Sequence, residues 1–350
     1  MRHRITTLEQ LREWVDVTDA EVEAIAQCAG KYRWAITPYY ASLMDRSDPN
    51  CPVRRQAVPS IEELRPWASS SVDPVGDMVF RKTNRVVHKY PDRVIMLVTS
   101  VCPVYCRHCT RKFHTTDTDG TYFGEAESAS WEPDFQYIEK HSEIRDVLLT
   151  GGDPLTYSDD RLEAIISRLR TIPHVEIVRI GSRFPVLLPQ RITPELCEML
   201  DRFQPIWLNT HFNHPKEATA EAAAACDRLL RHGIVVQNQS VLLRGINDTP
   251  EIMHELLSRL LQIRVRPYYL YHCDNVTGIS HFATTIQRGR DIMKSLVGPF
   301  TGFGVPQYVL TTPLGKIPLA EEHLHLDERP WVENYRGERM YIDEFVAENA

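Results

Sequence analysis

The chain has 350 residues, 43% of them hydrophobic, which is enough for one large α/β domain, or a large domain beside a smaller helical one, and too apolar for a disordered chain. Its formal charge of -7 argues against nucleic acid or an anionic membrane as the main partner. The start, MRHRITTLEQ, lacks the apolar core of a signal peptide, and no apolar run approaches the ~20 residues of a membrane span, so a cytoplasmic protein is expected.

Residues 6–45 read as helical. Thr6 with Glu9 and Thr18 with Glu21 have capping-box spacing, which marks two helix starts. Residues 45–60 are rich in Pro, Asp and Asn and read as a connector. A boundary near residue 75 divides the chain into an N-terminal helical region (1–75), a core (76–320) and a C-terminal extension (321–350) suited to an oligomer contact. From about residue 93, short apolar runs alternate with amphipathic stretches. The strand candidates are Val94–Thr99, Val147–Thr150, Glu176–Ile180, Ile206–Thr210, Val235–Leu243, Arg266–Tyr271 and Gln307–Leu310. Helices are expected over Asp160–Leu169 and Pro215–Arg231, the latter closed by Gly233, and from Thr249 with Pro250 in its first turn. Such alternation implies a parallel sheet with right-handed crossovers, curled into a full or partial barrel whose chemistry sits at the C-terminal strand ends.

Of eight cysteines, Cys102, Cys106 and Cys109 fall on one short loop directly after the strand VIMLVT; Cys28, Cys51, Cys197, Cys226 and Cys273 are scattered. A disulfide framework would be spread more evenly through a small secreted chain. Three thiolates in the order Cys-x3-Cys-x2-Cys can hold three irons of a [4Fe-4S] cluster and leave the fourth open to chelate a small molecule. The alternatives are three buried structural cysteines, or zinc, which wants four ligands; His108 is awkward as the fourth because it adjoins Cys109. The spacing resembles the signature of radical S-adenosylmethionine (SAM) proteins. DVLLTGGDPL then places Gly151, Gly152 and Asp153 at a strand end. Glycines there allow close backbone approach or simply an ordinary turn. In radical-SAM proteins the corresponding segment contacts the amino group of SAM.

Seven ordered blocks carry a closer resemblance: RVIMLVTSVCPVYCRHCTRK, DVLLTGGDPL, RIGSRFPVLLPQRIT, LNTHFNHPKEAT, NQSVLLRGIND, RPYYLYHCDNVTGISHF and GKIPL. Together they resemble the lysine 2,3-aminomutase family over nearly the whole chain. The resemblance implies an α/β, radical-SAM partial (β/α)6-type barrel and an isomerase that moves an α-amino group to the β-carbon of a free amino acid. Cys102, Cys106 and Cys109 would hold the [4Fe-4S] cluster, and SAM would be cleaved reductively to a 5'-deoxyadenosyl radical. Pyridoxal 5'-phosphate (PLP) would carry the migrating amine. Lys316 matches the lysine that forms the resting aldimine; without the family it would read as a surface lysine beside a turn. Lys89, Tyr90 and Arg93 match the segment around the PLP phosphate. The family pattern has arginine where Lys89 stands, and lysine lacks the bidentate fork. Arg111 matches the ligand of the substrate carboxylate. His211 and Gln239 match positions near SAM, with Asn213 and His214 shaping the same wall.

The chain departs from the lysine-using pattern in two places. Asp274 matches one of two aspartates around the distal amine, but Thr311 occupies the place of the second, and the glycine run before the lysine is shortened to PLGK. A buried carboxylate implies a cationic partner, so the expected substrate is a basic amino acid, lysine or arginine, and a side-chain carboxylate would be repelled. A branch that prepares β-lysine for a translation factor is less similar around YHCDNVTGISHF. No cysteine follows Cys273, so the C-terminal structural zinc of some relatives is not expected. A flavodoxin- or ferredoxin-type reductant and a homodimer or higher homo-oligomer complete the expectation. The competing readings are an aminomutase for another amino acid, a radical-SAM enzyme with a merely structural Lys316, and a non-catalytic electron-transfer or sensor protein.

Overall fold

The computed structural model describes residues 1–67, 70–115 and 130–319, with 324–325, 327, 329, 331–334 and 336–341 beyond them. Nine strands form one sheet in chain order: β1 (Val86–Tyr90), β2 (Arg93–Thr99), β3 (Asp146–Gly151), β4 (Ile177–Gly181), β5 (Ile206–Thr210), β6 (Val235–Leu242), β7 (Arg266–His272), β8 (Gln307–Thr312) and β9 (Gly315–Pro318). β2 to β8 run parallel, while β1 and β9 fold back antiparallel on the two ends. Backbone pairing therefore leaves the curl open between β1 and β9. Side chains bridge the gap: Lys89 Nζ donates to Thr312 O at 2.5 Å, and the Lys316 N–H donates to the Tyr90 hydroxyl at 3.1 Å.

The period of two along each strand decides what faces the inside. Val147, Leu149, Val178, Ile180, Ile206 and Leu208 are buried in the outer core. Their neighbours Asp146, Leu148, Thr150, Arg179, Gly181 and Asn209 line the interior cavity instead. Helices Asp159–Arg170, Pro194–Asp201, Ala220–Arg231, Pro250–Gln262 and Ile286–Leu296 cover the outside. Each starts at a Ser or Thr whose hydroxyl accepts an N–H of the first turn (Ser158, Thr193, Thr219, Thr249, Thr285), a cap worth about 1 kcal/mol.

Several sequence expectations shift. Residues 6–45 form three short helices, Leu8–Arg12, Asp19–Cys28 and Pro38–Ser42. The first is capped by Thr7 with Gln10, one residue later than Thr6 with Glu9, because the Gln10 side chain reaches back to both the Thr6 and Thr7 N–H groups. Thr18 and Glu21 do form a capping box. The stretch from Pro215 to Arg231 is not one helix. Glu217 turns back to the N–H groups of Asn213 and His214, Ala218 leaves helical geometry at ψ 64, and the helix restarts under the Thr219 cap. Residues on both sides of position 75 share one core, in which Leu11 and Val15 join Val98 and Leu208. Part of the 321–350 extension lies outside the described residues; its described part includes the three-stranded sheet Leu324–His325, Trp331–Glu333 and Arg339–Tyr341. Among the described residues, no helix is long and apolar enough to cross a membrane.

Candidate active site

A cavity of about 530 Å³ opens inside the curl of the sheet. Every residue singled out above as catalytic, cofactor-binding, metal-binding or substrate-binding borders it: the three loop cysteines, Lys89, Tyr90, Arg93, Arg111, Gly151, Gly152, Asp153, His211, Gln239, Asp274, Thr311 and Lys316. They come from nearly all strands of the sheet, which is how the interior of a barrel-like fold gathers residues distant in sequence.

The cysteine loop follows β2. Cys102, Cys106 and Cys109 are free thiols, each partly exposed. Among the described residues, no group of three His, Cys, Asp or Glu closes on a single metal ion. A cluster asks something different of three cysteines, one thiolate for each of three irons. The loop is pinned from behind by the N-terminal region. Arg107 N donates to Gln56 O at 2.9 Å, Arg107 Nε to Glu63 at 2.9 Å, and Lys112 Nζ to Glu63 at 2.5 Å, all buried. Burial alone would raise the Glu63 carboxyl, but Arg107 and Lys112 outweigh it and hold it down at about 2. His108 is buried with Nε2 3.1 Å from Asn213 Nδ2, so that nitrogen is occupied within the protein.

The strand-end glycines serve this loop. A Cβ on Gly152 would stand 2.5 Å from Val101 O, and one on Gly151 (φ +109) 2.7 Å from Thr99 O. Their freedom lets the end of β3 press against the backbone that enters the cysteine loop. Asp153 accepts the Arg183 N–H at 2.8 Å and the Leu155 N–H at 3.1 Å, and burial raises its carboxyl to about 6. His211, just past β5, is pushed down to about 3 by burial and then by Arg183 and Arg111, so it is neutral near pH 7. Asn213 and His214 do not border the cavity: Asn213 accepts the Val241 N–H at 2.9 Å, and His214 caps the turn that follows it. Their role is to brace the loop after β5.

Lys316 projects from β9 with Nζ 4.5 Å from the ring centre of Tyr269 and 5.3 Å from that of Tyr271. Burial, followed by Arg179, Arg93, Arg111 and Lys89, pushes its amine down to about 7. Gly315 alone supplies the positive φ of the turn, at +120, and Leu314 is 92% exposed outside it. Lys89 is engaged by two carbonyls, Val75 O at 2.8 Å and Thr312 O, whereas Arg93 lies over the Tyr90 ring at 4.1 Å and pairs with exposed Asp92. Arg111 Nε donates to Asp77 at 2.6 Å. Asp274 Oδ2 accepts the Thr110 hydroxyl at 2.6 Å, while its buried Oδ1 has no partner among the described residues. Burial raises the Asp274 carboxyl to about 6 against the pull of Thr110 and Arg111.

Residues 96–257 match the model of the Radical SAM superfamily. The chain is 49% identical to the L-lysine 2,3-aminomutase of Clostridium subterminale over 90% of its own length and 75% of that protein. It is 44% identical to a putative L-lysine 2,3-aminomutase of Aquifex aeolicus over 97% of its length and 92% of that protein. The chain belongs to the lysine 2,3-aminomutase family. The family also reaches a glutamate 2,3-aminomutase of Clostridioides difficile, 41% identical over 93% of this chain and 76% of that protein.

As a radical-SAM aminomutase the protein is an isomerase of amino acids, and the family implies a [4Fe-4S] cluster and SAM. The cysteine loop fits the cluster: its thiols are free, border the cavity, and stand on a braced loop. Sequence reasoning missed the residues that do the bracing. Glu63, Gln56, Glu217 and Arg183 sit in no periodic pattern, and the side-chain bonds Arg107–Glu63, Arg183–Gln56, Arg183–Glu217 and Gln56–Glu217 span 44, 127, 34 and 161 residues. Arg183 stands inside the quoted block RIGSRFP, yet nothing local says that it reaches Cys106.

Proposed function

We propose that this aminomutase is PLP-dependent, carries PLP on Lys316, and moves the α-amino group of a basic L-amino acid, lysine or arginine, to its β-carbon. The observation that carries the substrate reading is the buried Asp274 oxygen that has no partner among the described residues. An unpaired buried acceptor costs about 1–3 kcal/mol, more when charged, and a cationic substrate side chain relieves it. Thr311, at the position of a second carboxylate, leaves a neutral wall with a hydroxyl acceptor. A guanidinium, which can take both oxygens of one carboxylate, suits such a site as well as an ammonium does.

The residues fit PLP on the chemistry of Lys316. An amine that condenses with an aldehyde must be neutral, and an amine at about 7 has a large neutral fraction near neutral pH. Bound PLP supplies the carbonyl that holds the migrating nitrogen and can delocalise an unpaired electron. Arg93 would meet the phosphate, and Tyr90, whose hydroxyl accepts the Lys316 N–H, would hold the β9 turn against it. Arg111 would take the substrate carboxylate with its two Nη groups while Asp77 holds Nε. Gly151, Gly152, Asp153, His211 and Gln239 would border SAM beside the cysteine loop, with neutral His211 offering a hydrogen bond without a charge. An external flavodoxin- or ferredoxin-type protein would deliver the electron, and the chain would work as a homodimer or higher homo-oligomer.

The test is anaerobic reconstitution with iron, sulfide, SAM, PLP and a chemical reductant, followed by separate incubation with lysine, arginine, ornithine, glutamate and alanine. Mass spectrometry after derivatisation is expected to show a β-amino acid from lysine or arginine and none from glutamate. A β-product from glutamate or alanine alone would overturn the assignment of Asp274.

A further inference from the structure

Arg183 occupies a position that the family chemistry does not explain by itself. It leaves the loop after β4, and its side chain is 7% exposed. Its Nη1 lies 2.9 Å from Cys106 Sγ, one of the three thiols that would hold the cluster. Behind it, Nη2 donates to Gln56 Oε1 at 2.6 Å and to Glu217 Oε1 at 2.7 Å, and Nε donates to His211 O at 2.8 Å. Glu217 is fully buried and also accepts the Tyr40 hydroxyl at 2.6 Å and Gln56 Nε2 at 3.1 Å. The guanidinium is thus fixed on three sides and aimed at one sulfur. The loop is asymmetric in this respect: among the described residues, the hydrogen-bond partner of Cys109 Sγ is a neutral hydroxyl, that of Thr115, at 3.9 Å.

We infer that Arg183 is a positioning residue that donates a charged hydrogen bond to Cys106 and thereby sets the reduction potential of the cluster. Hydrogen bonds and charges at ligating sulfurs are among the means by which proteins tune such clusters. Reduction adds one electron from an external low-potential donor to the cluster and changes no covalent bond. A fixed cation beside one thiolate stabilises the added electron, and the buried Glu217 carboxylate tempers that effect. Because Gln56 and Tyr40 belong to the N-terminal region, that region acts on the redox centre electrostatically as well as bracing the loop.

The two charges give the inference a sign that a merely structural role does not have. Wild type, Arg183→Met, Arg183→Lys and Glu217→Gln would be reconstituted anaerobically and assayed for iron and sulfide. Their midpoint potentials would be read by electron paramagnetic resonance during titration with dithionite, without substrate or turnover. In Arg183→Met the reduced-to-oxidised ratio at a fixed solution potential is expected to fall about tenfold, which is about 59 mV for a one-electron couple. Arg183→Lys should fall between it and wild type, and Glu217→Gln should move the potential the opposite way. An unchanged potential in Arg183→Met, or a shift of all variants in one direction, would overturn the inference. Should the methionine variant hold no cluster, the lysine and glutamine variants decide it by sign alone.

Discussion

Behind the cysteine loop, Glu63 lies between Arg107 and Lys112, and Glu217 accepts from Arg183, Tyr40 and Gln56. Facing the cavity, Lys316 lies against two tyrosine rings, and Asp274, held through Oδ2 by Thr110 of the cysteine loop, has no partner for Oδ1 among the described residues. Both groups are buried and both carry charges, but among the described residues the carboxylates of the first are fully engaged by cations and hydroxyls, whereas Asp274 keeps one oxygen unpaired. The difference separates scaffold from receptor. Paired charges fix the loop that must present three thiols, whereas poorly satisfied ones raise the energy of the empty site and are relieved by a ligand. Mutations at the two ends should therefore part stability from activity.

The largest effect is expected at the receptor wall. Lys316→Ala should reduce aminomutase activity to background while the apoprotein melts no lower than wild type, since an amine pushed down by burial contributes nothing favourable to folding. Product formation and thermal unfolding, measured on the same preparation, check both halves. At the scaffold end, Glu63→Leu leaves Arg107 and Lys112 buried without their shared carboxylate. That change should cost about 3–5 kcal/mol in anaerobic denaturant unfolding of the apoprotein. A Glu63→Leu protein as stable as wild type would mean that the ion triad does not hold the loop.

These predictions rest on different degrees of legibility in the sequence. Parallel strands such as Ile206–Thr210 are readable because an apolar, β-rich run ends at a loop with special residues. β1 was not expected, because His88, Lys89 and Tyr90 break the apolar run and only the antiparallel pairing with β2 makes it a strand. β9 was missed for the same reason: it is four residues long and exists through its hairpin with β8. The candidate site was legible where residues lie at strand ends or in the family blocks. The braces were not, because Glu63 to Lys112 and Arg183 to Glu217 are pairings made by the fold across distant segments.

Smaller effects sharpen the contrast. Asp274→Asn should lower kcat/KM for lysine or arginine by about 10- to 100-fold, the loss of one charge-assisted hydrogen bond of ~1.5–3 kcal/mol, with stability unchanged or raised. Steady-state kinetics beside an unfolding curve would show it. Acid should separate the two ends as well. Glu63 titrates at about 2 in the folded protein against an ordinary value of 4.5, so its contribution is full above about 4.5 and is lost as pH falls towards 2. Attachment of PLP to Lys316 should instead rise as pH passes through about 7, where the amine loses its proton. Absorbance of the bound cofactor between pH 6 and 8.5 would follow it. Smallest of all, Thr311→Asp should shift the preference between lysine and arginine towards lysine by a few-fold, read as a ratio of products in a mixed-substrate assay.

The most direct test of the receptor wall is covalent. Protein incubated with PLP at pH 8, reduced with borohydride and digested should carry the pyridoxyl mass on the peptide containing Lys316. Modification confined to other lysines, or a peptide that stays unmodified while the folded protein binds SAM, would contradict the account.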